Sequence, residues 1–202
     1  YMDHRQKTYR VEMILGVVTD TQDLTGRILA RSDQLPEPEA VKTVLMSFIG
    51  PYRQIPPMYS AVKQQGKKLY ELARQGKEVE RTPRLREIHE IRWIQMKERA
   101  LLFDVTCSEG TYVRTLCHDA GQRLGCGAAM GFLLRLRSCG LHVNDATTLE
   151  ELENQHSWKE ALIPVDQVLG HYPAIFLPET QEKQILNGGI VRLDEQGILK
   201  DE

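Results

Sequence analysis

The residues best suited to chemistry are individually ordinary. Tyr9 stands in an alternating run in which Tyr9, Val11, Met13, Leu15 and Val17 face away from Arg10 and Glu12. A tyrosine so placed is usually a partly buried packing residue, with a catalytic role the rarer use. Arg114 falls off the apolar stripe made by Val113, Leu116, Cys117, Ala120 and Leu124. Alone it reads as a surface or ion-pair arginine. Asp20 and Asp23 share the stretch 19–26 with three threonines and Gly26, residue types that satisfy turn backbones with their side chains. The turn Ser108-Glu109-Gly110 ahead of a helix offers backbone amides suited to a phosphate, and simple capping accounts for it equally well. The six histidines never fall at HxxxH or HxH spacing, and Cys107, Cys117, Cys126 and Cys139 include no CxxC pair. A zinc site and a disulfide framework therefore lose support, and reduced thiols in a cytosol fit better. No GxGxxG, GxxxxGK[ST] or GxSxG string occurs, which removes the usual grounds for a nucleotide cofactor or a triad hydrolase.

These side chains need elements to hold them. Period-two alternation predicts a strand through Tyr9 and Val17, then a structured loop over 19–26. Pro38 opens a helix with Val41, Val44, Leu45, Phe48 and Ile49 inward, closed by Gly50. Pro56-Pro57 makes 54–60 a loop. A short helix over 68–75 buries only Leu69, Leu72 and Ala73, too small a face to anchor it firmly, so this arm is expected to be mobile. Strands over 85–96 and 101–107 join the first strand's sheet; a helix spans 111–124 and a strand 133–143. Thr148 and Glu151 have capping-box spacing, a short helix follows Pro178, Asn187-Gly188-Gly189 makes a turn, and a strand near 190–193 leads to a turn at 195–197. The alternation of strands and helices indicates a mixed α/β or α+β fold.

The chain has 202 residues, 41% hydrophobic and 27% charged, with no apolar run long enough to span a bilayer. Its net charge of −2 conceals an asymmetry. Residues 53–99 carry twelve bases against six acids, interleaved with Tyr59, Tyr70 and Trp93; residues 145–202 carry four bases against twelve acids. The basic middle suits a phosphate backbone as well as it suits a solvated face.

Longer strings discriminate between these readings. Lys7-Thr8-Tyr9-Arg10, Leu15-Gly16 and Thr19-Asp20-Thr21-Gln22-Asp23-Leu24-Thr25-Gly26 come first; Gln54-Ile55-Pro56-Pro57-Met58-Tyr59-Ser60-Ala61-Val62-Lys63 follows, running on through Gly66 to Gly76. Then come Cys107-Ser108-Glu109-Gly110-Thr111-Tyr112-Val113-Arg114 and Leu124-Gly125-Cys126-Gly127-Ala128. In this order they resemble the K-x-Y, TDTxDxxG, PPxYSAxK, CSxGTYxR and LGxGA blocks of bacterial tRNA pseudouridine-55 synthases of the TruB type. The resemblance is close over residues 1–140 and looser beyond. It implies a pseudouridine synthase fold of the α+β class, with a mixed, largely antiparallel sheet flanked by helices, and the start of a small PUA-like RNA-binding domain. The expected division is a catalytic part over 1–145, with an RNA-binding arm at 53–80, and a C-terminal part over 146–202.

The family's chemistry breaks an N1–C1′ glycosidic bond, turns the uracil and rejoins it through C5, with no metal or organic cofactor. The resemblance assigns Tyr9 to base stacking and proton movement, and Arg114 to pairing with the nucleophilic aspartate. It places Asp23, Tyr112 and Leu133 around the uracil, and Lys63, Lys67, Lys68 and Arg74 on the RNA. The implied partner is the T stem-loop of tRNA, bound by a cytoplasmic monomer without guide RNA or membrane. Two departures stand out. The family's GTLDPxAxG string, which carries its nucleophilic aspartate, does not occur among the 202 residues, and the chain starts at Tyr1, so a portion of a longer protein is expected, inactive alone. Leu134 also stands where the family has an arginine. The alternative function is a non-catalytic RNA-binding or tRNA-folding module.

Overall fold

A computed structural model describes residues 6–64, 66–154, 158–170, 172 and 175–192. In chain order the elements are β1 (Lys7–Leu15), β2 (Val17–Thr19), β3 (Ile28–Arg31), α1 (Pro38–Met46), β4 (Gly50–Gln54), β5 (Lys63–Gln64), β6 (Lys67–Lys68) and α2 (Leu69–Arg74). They continue with β7 (Arg84–Lys97), β8 (Ala100–Cys107), α3 (Val113–Arg123), β9 (Ala128–Ser138), β10 (Leu141–His142), α4 (Leu149–Asn154), α5 (Val165–Val168) and α6 (Glu179–Leu186). The chain divides into a unit over 1–146 and a second over 147–202. No helix among the described residues is long and apolar enough to cross a membrane.

The first unit is built on a six-stranded sheet in the order β10-β9-β1-β8-β7-β4, with every pair antiparallel. β1 is central because its alternation can be buried: Val11, Met13 and Leu15 are fully enclosed on one face. α1 and α3 cover that face, Val41 and Leu45 from one and Leu116, Cys117 and Ala120 from the other joining Phe103, Val105 and Leu101 in a single core. Gly121 permits the close approach of α3 to β9, since a Cβ there would lie 2.0 Å from the Ala128 amide nitrogen. The opposite face is polar at its centre. Arg10 and Arg92 both bond the Asp104 carboxylate, Arg10 through Nε at 2.9 Å and Nη2 at 3.1 Å.

Several boundaries differ from expectation for physical reasons. The first strand ends at Leu15 because Gly16 turns at φ +77°, and Val17 belongs to a separate two-stranded ribbon with β3. α1 stops at Met46, so Ile49 leaves the helical phase and is 47% exposed rather than inward. Gly50 opens a strand instead of closing the helix; β4 tolerates Pro51 because it is the sheet's edge. The strand expected over 133–143 begins at Ala128 and is ended by the turn at Cys139-Gly140, both with positive φ. In the arm, β5 and β6 form a hairpin ahead of α2, whose Leu69 is buried.

In the second unit Glu151 accepts from the Thr148 amide and hydroxyl, both at 2.8 Å, while Thr148 Oγ1 accepts from the Glu151 amide at 3.1 Å, closing the capping box ahead of α4. Ile190, Val191 and Arg192 are irregular rather than strand; residue 193 and the turn at 195–197 lie outside the described residues.

Candidate active site

The loop over 19–26 is organised around Asp23. Its Oδ1 accepts from Thr21 Oγ1 at 2.7 Å, Thr25 Oγ1 at 2.5 Å and the Thr25 amide at 3.1 Å. Its Oδ2 accepts from Arg114 Nη1 at 3.0 Å. Burial alone would push this carboxyl up, but the bonds from Thr25, Thr21 and Arg114 outweigh it and hold it below the usual carboxylate range. The loop is pinned to the sheet by a bridge in which the Leu24 amide donates to the Met130 carbonyl and the Met130 amide to the Gln22 carbonyl. Gln22, at φ +67°, accepts from Thr115 Oγ1 at 2.7 Å and so ties the loop to α3 a second time.

Arg114 is thereby held from two sides. Nη1 meets Asp23, and Nη2 donates to the backbone carbonyl of Tyr59 in the loop that leads into the arm. Its side chain is only 22% exposed, a setting in which both bonds are strengthened relative to water. Tyr112 precedes α3 in an extended conformation, φ −92° and ψ 103°, so the helix expected from residue 111 begins only at Val113. Gln54, at the end of β4, holds the Tyr112 backbone at both its amide and its carbonyl. Arg114 and Asp23 thus meet directly, and Tyr112, close to Arg114 in the chain, is fixed through its backbone.

Tyr9 and Leu133 lie along the neighbouring strands. In the pairing of β1 with β9, Tyr9 faces Arg135 and Val11 faces Leu133. The Arg135 guanidinium stands 5.5 Å from the centre of the Tyr9 ring. Burial raises the Tyr9 hydroxyl above the ordinary phenol value against the opposing Arg135 charge. The phenol therefore carries its proton at neutral pH. Cys107, across the sheet, is pushed up to about 11 by burial, so it is a neutral thiol rather than a nucleophile.

The arm presents the four cations assigned to RNA. Lys63 pairs directly opposite Lys68 in the hairpin, a like-charge juxtaposition that a solvated surface disfavours and a polyanion would relieve. Lys68 Nζ and the Arg74 guanidinium lie 5.4 Å and 5.5 Å from the centre of the Tyr70 ring, and Lys63, Lys67 and Arg74 are exposed. A groove of about 740 Å³ is lined by Pro51, Leu85, Arg86, His89 and the Ser108-Glu109-Gly110 turn, and contains none of Tyr9, Asp23, Tyr112, Arg114 and Leu133.

Sequence reasoning gave Gln54, Tyr59 and Arg135 no role. Gln54 and Tyr59 stand within one of the ordered motif blocks, but their contacts with Tyr112 and Arg114 are long-range and leave no residue pattern, whereas Arg135, against Tyr9, stands out as the lone polar side chain in the apolar run 132–136.

The chain resembles known proteins over most of its length. Residues 1–113 match the family model described as TruB family pseudouridylate synthase (N terminal domain), and residues 114–171 match the tRNA pseudouridylate synthase B C-terminal domain. A tRNA pseudouridine synthase B of Alkaliphilus oremlandii is 46% identical over 183 residues, 91% of this chain and 61% of its own length. That of Moorella thermoacetica is 44% identical over 201 residues, 96% and 66% respectively. The chain thus spans about two thirds or less of these relatives. Among solved structures, a Cbf5–Nop10–Gar1 complex contains a chain that superposes with TM-score 0.60 at 28% identity, over 82% of this chain and 44% of that one.

Proposed function

The chain belongs to the TruB family of pseudouridylate synthases, and from that membership we propose that it supplies the uridine pocket, the active-site arginine and the RNA-gripping arm of an enzyme that isomerises uridine-55 in the T loop of tRNA to pseudouridine. The observation that carries the proposal is Arg114 held between the Asp23 carboxylate and the Tyr59 carbonyl, the latter in the loop that leads into the basic arm. The base must leave its stack, at a cost of a few kcal/mol that is smallest in a loop. Tyr9 and Leu133 offer a ring and an apolar wall to the displaced uracil. The Tyr9 hydroxyl, kept protonated by burial, can relay the C5 proton to solvent, passing its own proton to a water as it takes the one leaving C5.

Arg114 has a preset orientation, because Asp23 and the Tyr59 carbonyl hold two of its nitrogens before substrate arrives. Its charge would keep the nucleophilic aspartate of the family's GTLDPxAxG motif ionised at neutral pH. Lys63, Lys67, Lys68 and Arg74 would neutralise phosphates of the T arm, so affinity should fall steeply with salt. With this arm in place we read the enzyme as a cytoplasmic monomer working on free tRNA without a guide RNA, residues 146–202 leading into its small RNA-binding domain.

The test is tritium release from C5-labelled uridine in a free tRNA transcript by the full-length protein. Release that depends on uridine-55 supports the proposal. Tight binding without release would replace it with a tRNA-folding module, and release only on addition of a guide RNA would overturn the free-tRNA reading.

A further inference from the structure

Gln54 ends the edge strand β4 and is 1% exposed. Its side-chain amide makes both bonds that a neighbouring strand would make to Tyr112. Nε2 donates to the Tyr112 carbonyl at 3.0 Å, and Oε1 accepts from the Tyr112 amide at 2.8 Å. A primary amide offers a donor and an acceptor side by side without charge, which is what a single buried peptide unit requires. Tyr112 has no side-chain cap of its own, and its extended backbone precedes a helix that starts at the next residue. The direction in which its side chain leaves, relative to Arg114 two residues on, is therefore set by the Gln54 clamp. The residues after Gln54 form the loop whose Tyr59 carbonyl accepts from Arg114, with Pro56 and Pro57 buried between them. One anchor thus fixes Tyr112 from its backbone and, through a short stiff loop, the second acceptor of Arg114.

We propose that Gln54 is a positioning residue for the isomerisation, acting through Tyr112 and Arg114 without itself touching uridine. This rests on reading the site as a uridine pocket. Misplacement of reacting groups by about 1 Å costs on the order of a hundredfold in rate, so losing the clamp should slow chemistry far more than it weakens RNA binding, which the arm supplies.

The experiment uses the full-length protein with Gln54→Ala and Gln54→Glu, measuring single-turnover pseudouridine formation, the Kd for tRNA and the native circular dichroism signal at each pH. Gln54→Ala should slow turnover by about 10- to 100-fold while Kd moves less than about threefold. Gln54→Glu supplies a sharper signature. Ionised, the glutamate can accept from the Tyr112 amide but opposes the Tyr112 carbonyl; protonated, it again presents one donor and one acceptor. Its rate relative to wild type should therefore rise about fivefold or more between pH 8 and pH 5.5, with the fold intact. Wild-type turnover in folded Gln54→Ala, or a pH-independent ratio for Gln54→Glu, overturns the proposal. If Gln54→Ala fails to fold, the Glu ratio decides alone. A wild-type protein without turnover defeats the uridine-pocket reading and this inference with it, whereas an active wild type with an equally active Gln54→Ala defeats only this inference.

Discussion

Asp23 offers the most demanding test of the site's electrostatics. Its side chain is 14% exposed and accepts three bonds from Thr21 and Thr25 and one from Arg114, itself 22% exposed. Truncating one partner of a fully buried ion pair costs about 3–5 kcal/mol, because the other charge is left uncompensated. Here partial exposure and the remaining Tyr59 carbonyl soften the loss, so Asp23→Ala should cost about 2–3 kcal/mol. Asp23→Asn keeps an acceptor for the threonines and loses only the charge, for about 1–2 kcal/mol. Urea denaturation at pH 7, followed through Trp93 in β7 with Trp158→Phe as background, measures both. The pH dependence has a definite sign. Because the folded carboxyl is held below its unfolded value of about 3.9, its contribution is complete above that value and disappears as pH falls through the folded one. The gap between wild type and Asp23→Asn should accordingly be full at pH 7 and close below about pH 4. A gap under about 0.5 kcal/mol at pH 7, or one that widens on acidification, would refute the argument.

Other perturbations separate binding, chemistry and folding. Tyr9→Phe should reduce turnover of the full-length enzyme by about 10²–10⁴-fold with tRNA affinity nearly unchanged; parallel losses of both in filter binding and tritium release would make Tyr9 a packing residue. Lys63→Ala with Lys67→Ala should lower the slope of log Kd against log salt by about 2, and an unchanged slope would remove the hairpin from the RNA surface. Gly121→Ala places a methyl 2.0 Å from the Ala128 amide and should cost about 3 kcal/mol by the same urea titration, an effect near zero meaning that α3 and β9 can part freely.

Much of the fold was legible because the signals were local. The alternation through Val11, Met13 and Leu15 marks a strand buried on one face, and the stripe in α3 marks a helix covering it, whatever lies elsewhere in the chain. The threonine-rich turn around Asp23 was equally plain, since its side chains bond within four residues of themselves. β4 was not legible, because Pro51 disqualifies a central strand and only the finished sheet makes this one an edge. The start of β9 was hidden for a related reason: Ala128 and Ala129 carry little hydrophobic signal and are buried because Gly121 lets α3 come close.

The site divides along the same line. Residue types and ordered motifs nominated the side chains proposed for it: Tyr9, Asp23, Tyr112, Arg114, Leu133 and the arm's cations. Only the tertiary structure decided their geometry. Asp23 and Arg114 are 91 residues apart in the chain, and Gln54 and Tyr112 are 58 apart, yet each pair meets within hydrogen-bonding distance. Hydrogen bonds of this kind leave no periodicity in a sequence, because their donors and acceptors are juxtaposed only after the sheet has closed its register and α3 has docked against it.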